Sequence, residues 1–158
     1  MKIKIKLSEL LYFLAFFIWL FANFFVQTSF VNKYPNLYRF RILAMIICMI
    51  ILFGKLMVEK ITSKNFLYIC SMMGLAIIIG ISTHKLFDAL SVISTIMLIV
   101  STKNVRFKSI MIFWLMLIAL FMATTFLSWK MGLIENVLRY QIGRGVRFGL
   151  GYQYPTFG

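Results

Sequence analysis

Apolar positions in this chain do not alternate with polar ones; they gather into long runs separated by short, cation-bearing links. A helix that crosses about 30 Å of hydrocarbon needs roughly 20 predominantly apolar residues, and five runs approach that length. Residues 10–30 (LLYFLAFFIWLFANFFVQTSF) carry no charge and follow Lys2, Lys4 and Lys6. The run is too long for the core of a secretory signal and no A-x-A-like cleavage site follows it, so an uncleaved anchor is expected. Pro35 beside Asn36 marks a turn. A second helix is expected over residues 38–57, its short apolar core lengthened by Tyr38 at one end and by Lys55 snorkelling at the other. Further helices are expected at 64–81, 86–101 and 110–129. The fourth is the shortest, with Asp88 near its start and Ser91, Ser94 and Thr95 within, and either spans with strain, re-enters, or packs wholly against protein.

Beyond the fifth run the pattern changes. Ile134, Val137, Leu138 and Ile142 fall on one helical face while Glu135, Arg139 and Gln141 avoid it, which predicts a short amphipathic interfacial helix over residues 131–142, ended by Gly143. The remainder, RGVRFGLGYQYPTFG, is rich in Gly and aromatics and reads as an extracytoplasmic tail. The expected fold class is therefore all-α: a polytopic helical integral membrane protein with about five spans, an interfacial helix and a tail over residues 130–158.

Composition agrees with this pattern. Of 158 residues, 62% are hydrophobic and only 13% charged, against about 25% charged in soluble domains. Seventeen Lys and Arg against four Asp and Glu give a net charge of +13. The cations sit in short clusters between apolar runs, where loop placement and contact with anionic membrane lipids account for them, and a nucleic-acid partner is not expected. Cys48 and Cys70 lie inside apolar runs and read as small hydrophobes. The single histidine, His84, sits in a link; no metal site and no cofactor are expected.

With five spans and a cytoplasmic N-terminus, nine cations fall inside and eight outside. The first helix, led by three lysines, decides the orientation: N-terminus in, C-terminal tail out, in the cell membrane. Five of the six arginines (Arg39, Arg41, Arg139, Arg144 and Arg147) then lie outside, whereas eight of eleven lysines lie inside. Either small-number chance produces this split, or the outer face is built to hold an anionic ligand, for which arginine's planar fork suits phosphate and carboxylate.

Residues 147–156 (RFGLGYQYPT) carry a resemblance. The segment looks like the R-x-S-L-G-F-x-H-P-N element of the Wzy-like polysaccharide polymerases of Gram-positive bacteria, a group similar to the O-antigen polymerases and ligases, in which a variant ending Y-P-T also occurs. Arg147 matches the motif arginine, Leu150 and Gly151 match L-G, and Pro155 matches its proline; Gly149, Tyr154 and Thr156 stand where Ser, His and Asn are usual. The resemblance implies a metal-independent glycosyl transfer that joins oligosaccharide repeat units carried on undecaprenyl diphosphate. It implies catalytic roles for Arg147 and Tyr154, substrate contacts from Arg139, Arg144, Gly151, Pro155 and Thr156, and other polysaccharide-assembly proteins as partners. On this reading the chain is the N-terminal portion of such a polymerase, truncated and inactive by itself. The alternative is a small non-enzymatic membrane protein, an immunity or accessory subunit that acts by helix packing.

Overall fold

A computed structural model describes residues 7–59, 63–83, 86–136, 138–141 and 145–152. Within them the chain is mostly helical. In order come α1 (Leu7–Val26), α2 (Phe30–Lys33), α3 (Leu37–Val58), α4 (Ser63–Thr83), α5 (Leu86–Val100) and α6 (Phe107–Lys130), then two short strands, β1 (Leu138–Gln141) and β2 (Gly145–Phe148). Among the described residues three helices, α1, α3 and α6, are long and apolar enough to cross a membrane; at 1.5 Å per residue, the 20 residues of α1 reach about 30 Å. Large apolar side chains such as Leu10, Ile50, Ile78 and Met116 are exposed along the helices, far beyond what a water-facing surface tolerates.

Helices α3, α4, α5 and α6 occupy Leu37–Val58, Ser63–Thr83, Leu86–Val100 and Phe107–Lys130; two places depart from the pattern read in the sequence. The first charge-free run does not continue to residue 30. α1 stops at Val26, and the chain turns before the four-residue α2. The Thr28 hydroxyl donates to the Phe25 carbonyl at 2.7 Å, and the Ser29 N–H donates to the Gly151 carbonyl at 2.8 Å and so leaves the helical ladder. Short polar side chains that bond nearby backbone compete with a helix in this way.

The second correction is larger: the amphipathic helix expected over residues 131–142 is not formed. α6 ends at Lys130, where Gly132 takes φ +72°. The Leu133 N–H bonds the Ser128 carbonyl and the Gly132 N–H bonds the Trp129 carbonyl, both at 2.9 Å. That pair of bonds around a left-handed glycine is a Schellman stop. Downstream, β1 pairs antiparallel with β2, with Leu138 opposite Phe148, Arg139 opposite Arg147, Tyr140 opposite Val146 and Gln141 opposite Gly145. Leu138, Tyr140, Val146 and Phe148 alternate with polar or small residues, the period of a ribbon. The helical reading of this segment missed it.

The chain divides into two compact units. The first comprises Met1–Trp19 and Ile42–Met111. Its core is built from Tyr12 and Ala15 of α1, Cys48, Leu52 and Leu56 of α3, Ile69 of α4, and Met97 and Leu98 of α5. Trp19 Nε1 donates to Ser94 Oγ at 3.1 Å, tying α1 to α5. Lys55 does not snorkel. It is 0% exposed and donates to Glu59 Oε1 at 2.8 Å and to the Lys103 carbonyl at 3.1 Å. An acidic partner one helical turn on, with a carbonyl from the α5–α6 turn, replaces the water that snorkelling would have reached.

The second unit comprises Leu20–Arg41 and Ile112–Gly158. α1 and α6 both end in it and α3 begins in it. Phe21, Phe24 and Phe25 surround Phe121 of α6 at centroid distances of 5.8, 5.3 and 5.5 Å. Arg41 holds the Asn23 Oδ1 through Nε at 3.0 Å and Nη2 at 2.6 Å, fastening the start of α3 to α1.

Candidate functional site

The motif segment lies in the second unit, and its L-G pair has a definite backbone task. Residues 149–152 form a tight turn closed by the Tyr152 N–H on the Gly149 carbonyl at 2.8 Å. Both central positions take positive φ, Leu150 at 48° and Gly151 at 89°, as in a type I′ turn. Leucine in the left-handed region costs about 1–2 kcal/mol. The cost is offset by fixation: the Leu150 N–H donates to Asn136 Oδ1 at 3.0 Å, the Gly151 carbonyl takes the Ser29 N–H, and Thr28 bridges Tyr152.

Gly151 is required twice over. Beyond its φ, a Cβ there would lie 3.0 Å from Thr125 Cγ2, 3.0 Å from Ile134 Cδ1 and 3.3 Å from the Thr125 carbonyl. In the fold, Gly151 lets the turn settle against α6. Tyr152 follows, its ring edge-on to Phe24 at 5.8 Å. Its hydroxyl is buried and reaches no hydrogen-bond partner among the described residues. Burial raises the phenol above its ordinary pKa of 10.0, with the nearby Thr125 hydroxyl pulling weakly the other way.

Arg139 and Arg147, on adjacent strands, occupy directly opposed positions in the hairpin register. Arg144, Tyr154, Pro155 and Thr156, the other residues singled out from the motif, lie outside the described residues, as does His84. No group of three or more His, Cys, Asp and Glu that could hold a metal occurs among the described residues.

Beside the docked turn is a cavity of about 300 Å³, lined by Ser29, Asn32 and Lys33 on one side and by residues 132–135 on the other. Lys33 Nζ donates to the Leu133 carbonyl at 3.0 Å, joining its walls. Ser29 is 1% exposed, and its Oγ has no hydrogen-bond partner among the described residues. Sequence reasoning missed Ser29, Asn32, Lys33, Glu135 and Asn136, because no local pattern brings residues a hundred positions apart together.

No known protein family, curated protein or solved structure matches the chain.

Proposed function

We propose that the chain is a multi-pass cell-membrane protein of five spans whose hairpin and motif tail, outside the membrane, hold lipid-linked oligosaccharide diphosphate, as part of a polymerase that joins repeat units into capsular or exopolysaccharide. The observation that carries the reading is the opposition of Arg139 and Arg147 across the hairpin. Two guanidinium-bearing residues on one face of a ribbon repel unless an anion lies between them, and a diphosphate offers oxygens for both forks. Fixed cations of this kind stabilise a diphosphate leaving group without a metal.

Alternating spans support the topology. α1 and α6 end in the unit where α3 begins, and α4 packs on α5, so α4 and α5 act as an out-and-back pair. Three lysines before α1 put the N-terminus in the cytoplasm and the hairpin outside. By the resemblance, Arg144, Pro155 and Thr156 contribute substrate contacts, Tyr154 shares the catalytic role with Arg147, and assembly proteins of the same route are partners.

The test is polymer length in cells whose chromosomal gene carries Arg147→Ala or Arg147→Lys. Both should shorten or abolish polymer at unchanged membrane protein level; normal length in Arg147→Ala sinks the reading. A non-enzymatic accessory subunit is the second reading, favoured by the seating of residues 149–152 against Ser29 and Thr125. It predicts that polymer chemistry is indifferent to Arg147 and sensitive only to substitutions that disturb helix packing.

A further inference from the structure

The cavity beside the docked turn has a composition and a defect that together specify a ligand. Its walls carry one ammonium, Lys33, one carboxylate, Glu135, the Asn32 amide and the Ser29 hydroxyl. The charges balance, which disfavours an isolated anion or cation. Donors and acceptors are both present, the combination that neighbouring hydroxyls of a polyol satisfy. At about 300 Å³ the space stands at the lower end of small-molecule sites, roughly 300–1,000 Å³, which suits one ring.

Ser29 supplies the second observation. It occupies the N-cap position of α2 with φ −64° and ψ −6° and makes no capping bond with its side chain. Its N–H is committed to the Gly151 carbonyl, while its Oγ is buried and has no partner among the described residues. A buried hydroxyl with no protein partner among the described residues, in a cavity wall with polar neighbours, is poised for a ligand that brings one. Lys33, Gly132, Leu133 and Glu135 are exposed, so the cavity is reachable from outside.

We propose that this cavity is a subsite for a single neutral sugar ring, with Glu135 accepting from adjacent ring hydroxyls and Ser29 Oγ pairing with a third. It rests on the polymerase reading only for assigning that ring to the oligosaccharide being joined.

The full chain in lipid nanodiscs is titrated with glucose, galactose and N-acetylglucosamine, read by saturation-transfer NMR, with inorganic phosphate as competitor. At least one sugar should show transfer that phosphate leaves intact. Ser29→Ala should weaken binding about tenfold, the loss of one hydrogen bond, while its melting temperature stays equal or rises, because the removed hydroxyl had no partner among the described residues. Glu135→Gln, at an exposed position, should weaken the same sugar. Absence of transfer to all three sugars overturns the proposal, as do unchanged affinity in both variants or displacement of the sugar by phosphate. Sugar binding that persists while Arg147→Ala leaves polymer normal sinks the polymerase reading alone; polymer lost in Arg147→Ala without any sugar transfer sinks the subsite alone.

Discussion

Gly151 lies so close to Thr125 that a single added methyl group would stand 3.0 Å from the threonine Cγ2 and 3.3 Å from its carbonyl oxygen. Gly151 also sits at φ +89°, so Gly151→Ala pays for both the left-handed backbone and the overlap, together roughly 2–4 kcal/mol. The expected result is a lowered melting temperature in nanodiscs and faster proteolysis after residue 136. A variant as stable and as protease-resistant as the parent would show that the turn is not docked on α6.

Asn136 should act through its side-chain acceptor on the Leu150 N–H. Asn136→Ala should cost about 1 kcal/mol, the usual net value of such a bond, and loosen the same turn, whereas Asn136→Asp keeps an acceptor and should hold it. Equal proteolysis rates for the two variants would count against the bond.

Lys55 and Glu59 form a buried pair at 2.8 Å, with side-chain exposures of 0% and 8%. Removing one partner strands the other's charge, a loss of about 3–5 kcal/mol, while replacing both restores most of it. Glu59→Ala or Lys55→Met should therefore be strongly destabilising, and Lys55→Met with Glu59→Gln clearly less so. Additive losses in a double-mutant cycle by thermal unfolding would rule out coupling.

Tyr152 gives a pH signature. Its phenol pKa is raised by burial above the ordinary 10.0, so the folded state favours the neutral form. That contribution is fully present below pH 10.0 and is lost as pH rises through the folded value. Tyr152→Phe removes a buried hydroxyl that, beyond its weak interaction with Thr125, has no hydrogen-bond partner among the described residues; it should stay close to the parent in melting temperature near neutral pH and lose less stability on going to alkaline pH. A parallel alkaline decline in both proteins would assign that decline to other groups.

How far the sequence carried these conclusions differs by element. α3 and α6 were legible because apolar runs of the right length suffice to define them, and lipid-facing and core-facing positions need no distinction at that level. The end of α1 was not, since the Ser29 N–H leaves the helix for the carbonyl of Gly151, 122 positions away. The hairpin carried local signs that a helical periodicity overrode: Gly132 directly after a long helix, and the alternation of Leu138, Arg139 and Tyr140 against Val146, Arg147 and Phe148. Lys55 was placed at the interface by length alone; only the fold shows Glu59 and Lys103 supplying its bonds. Of the motif, Arg147, Leu150 and Gly151 drew attention in sequence, but Ser29, Asn32 and Lys33, which share the cavity with Glu135, have no pattern that one strand of text could display.

The central claim is that the opposed Arg139 and Arg147 hold a lipid-linked diphosphate. The most direct measurement is the affinity of the full chain, in neutral-lipid nanodiscs, for undecaprenyl diphosphate, compared among the parent, Arg147→Lys, Arg147→Gln and Arg139→Gln with Lys130→Gln as a charge control. The predicted result is a loss of roughly tenfold or more in Arg147→Gln and Arg139→Gln, since hydrogen bonds to charged groups contribute about 1.5–3 kcal/mol, an intermediate loss in Arg147→Lys, and little change in the control. Equal affinity across all five proteins, or equal losses in the control and the hairpin variants, would contradict it.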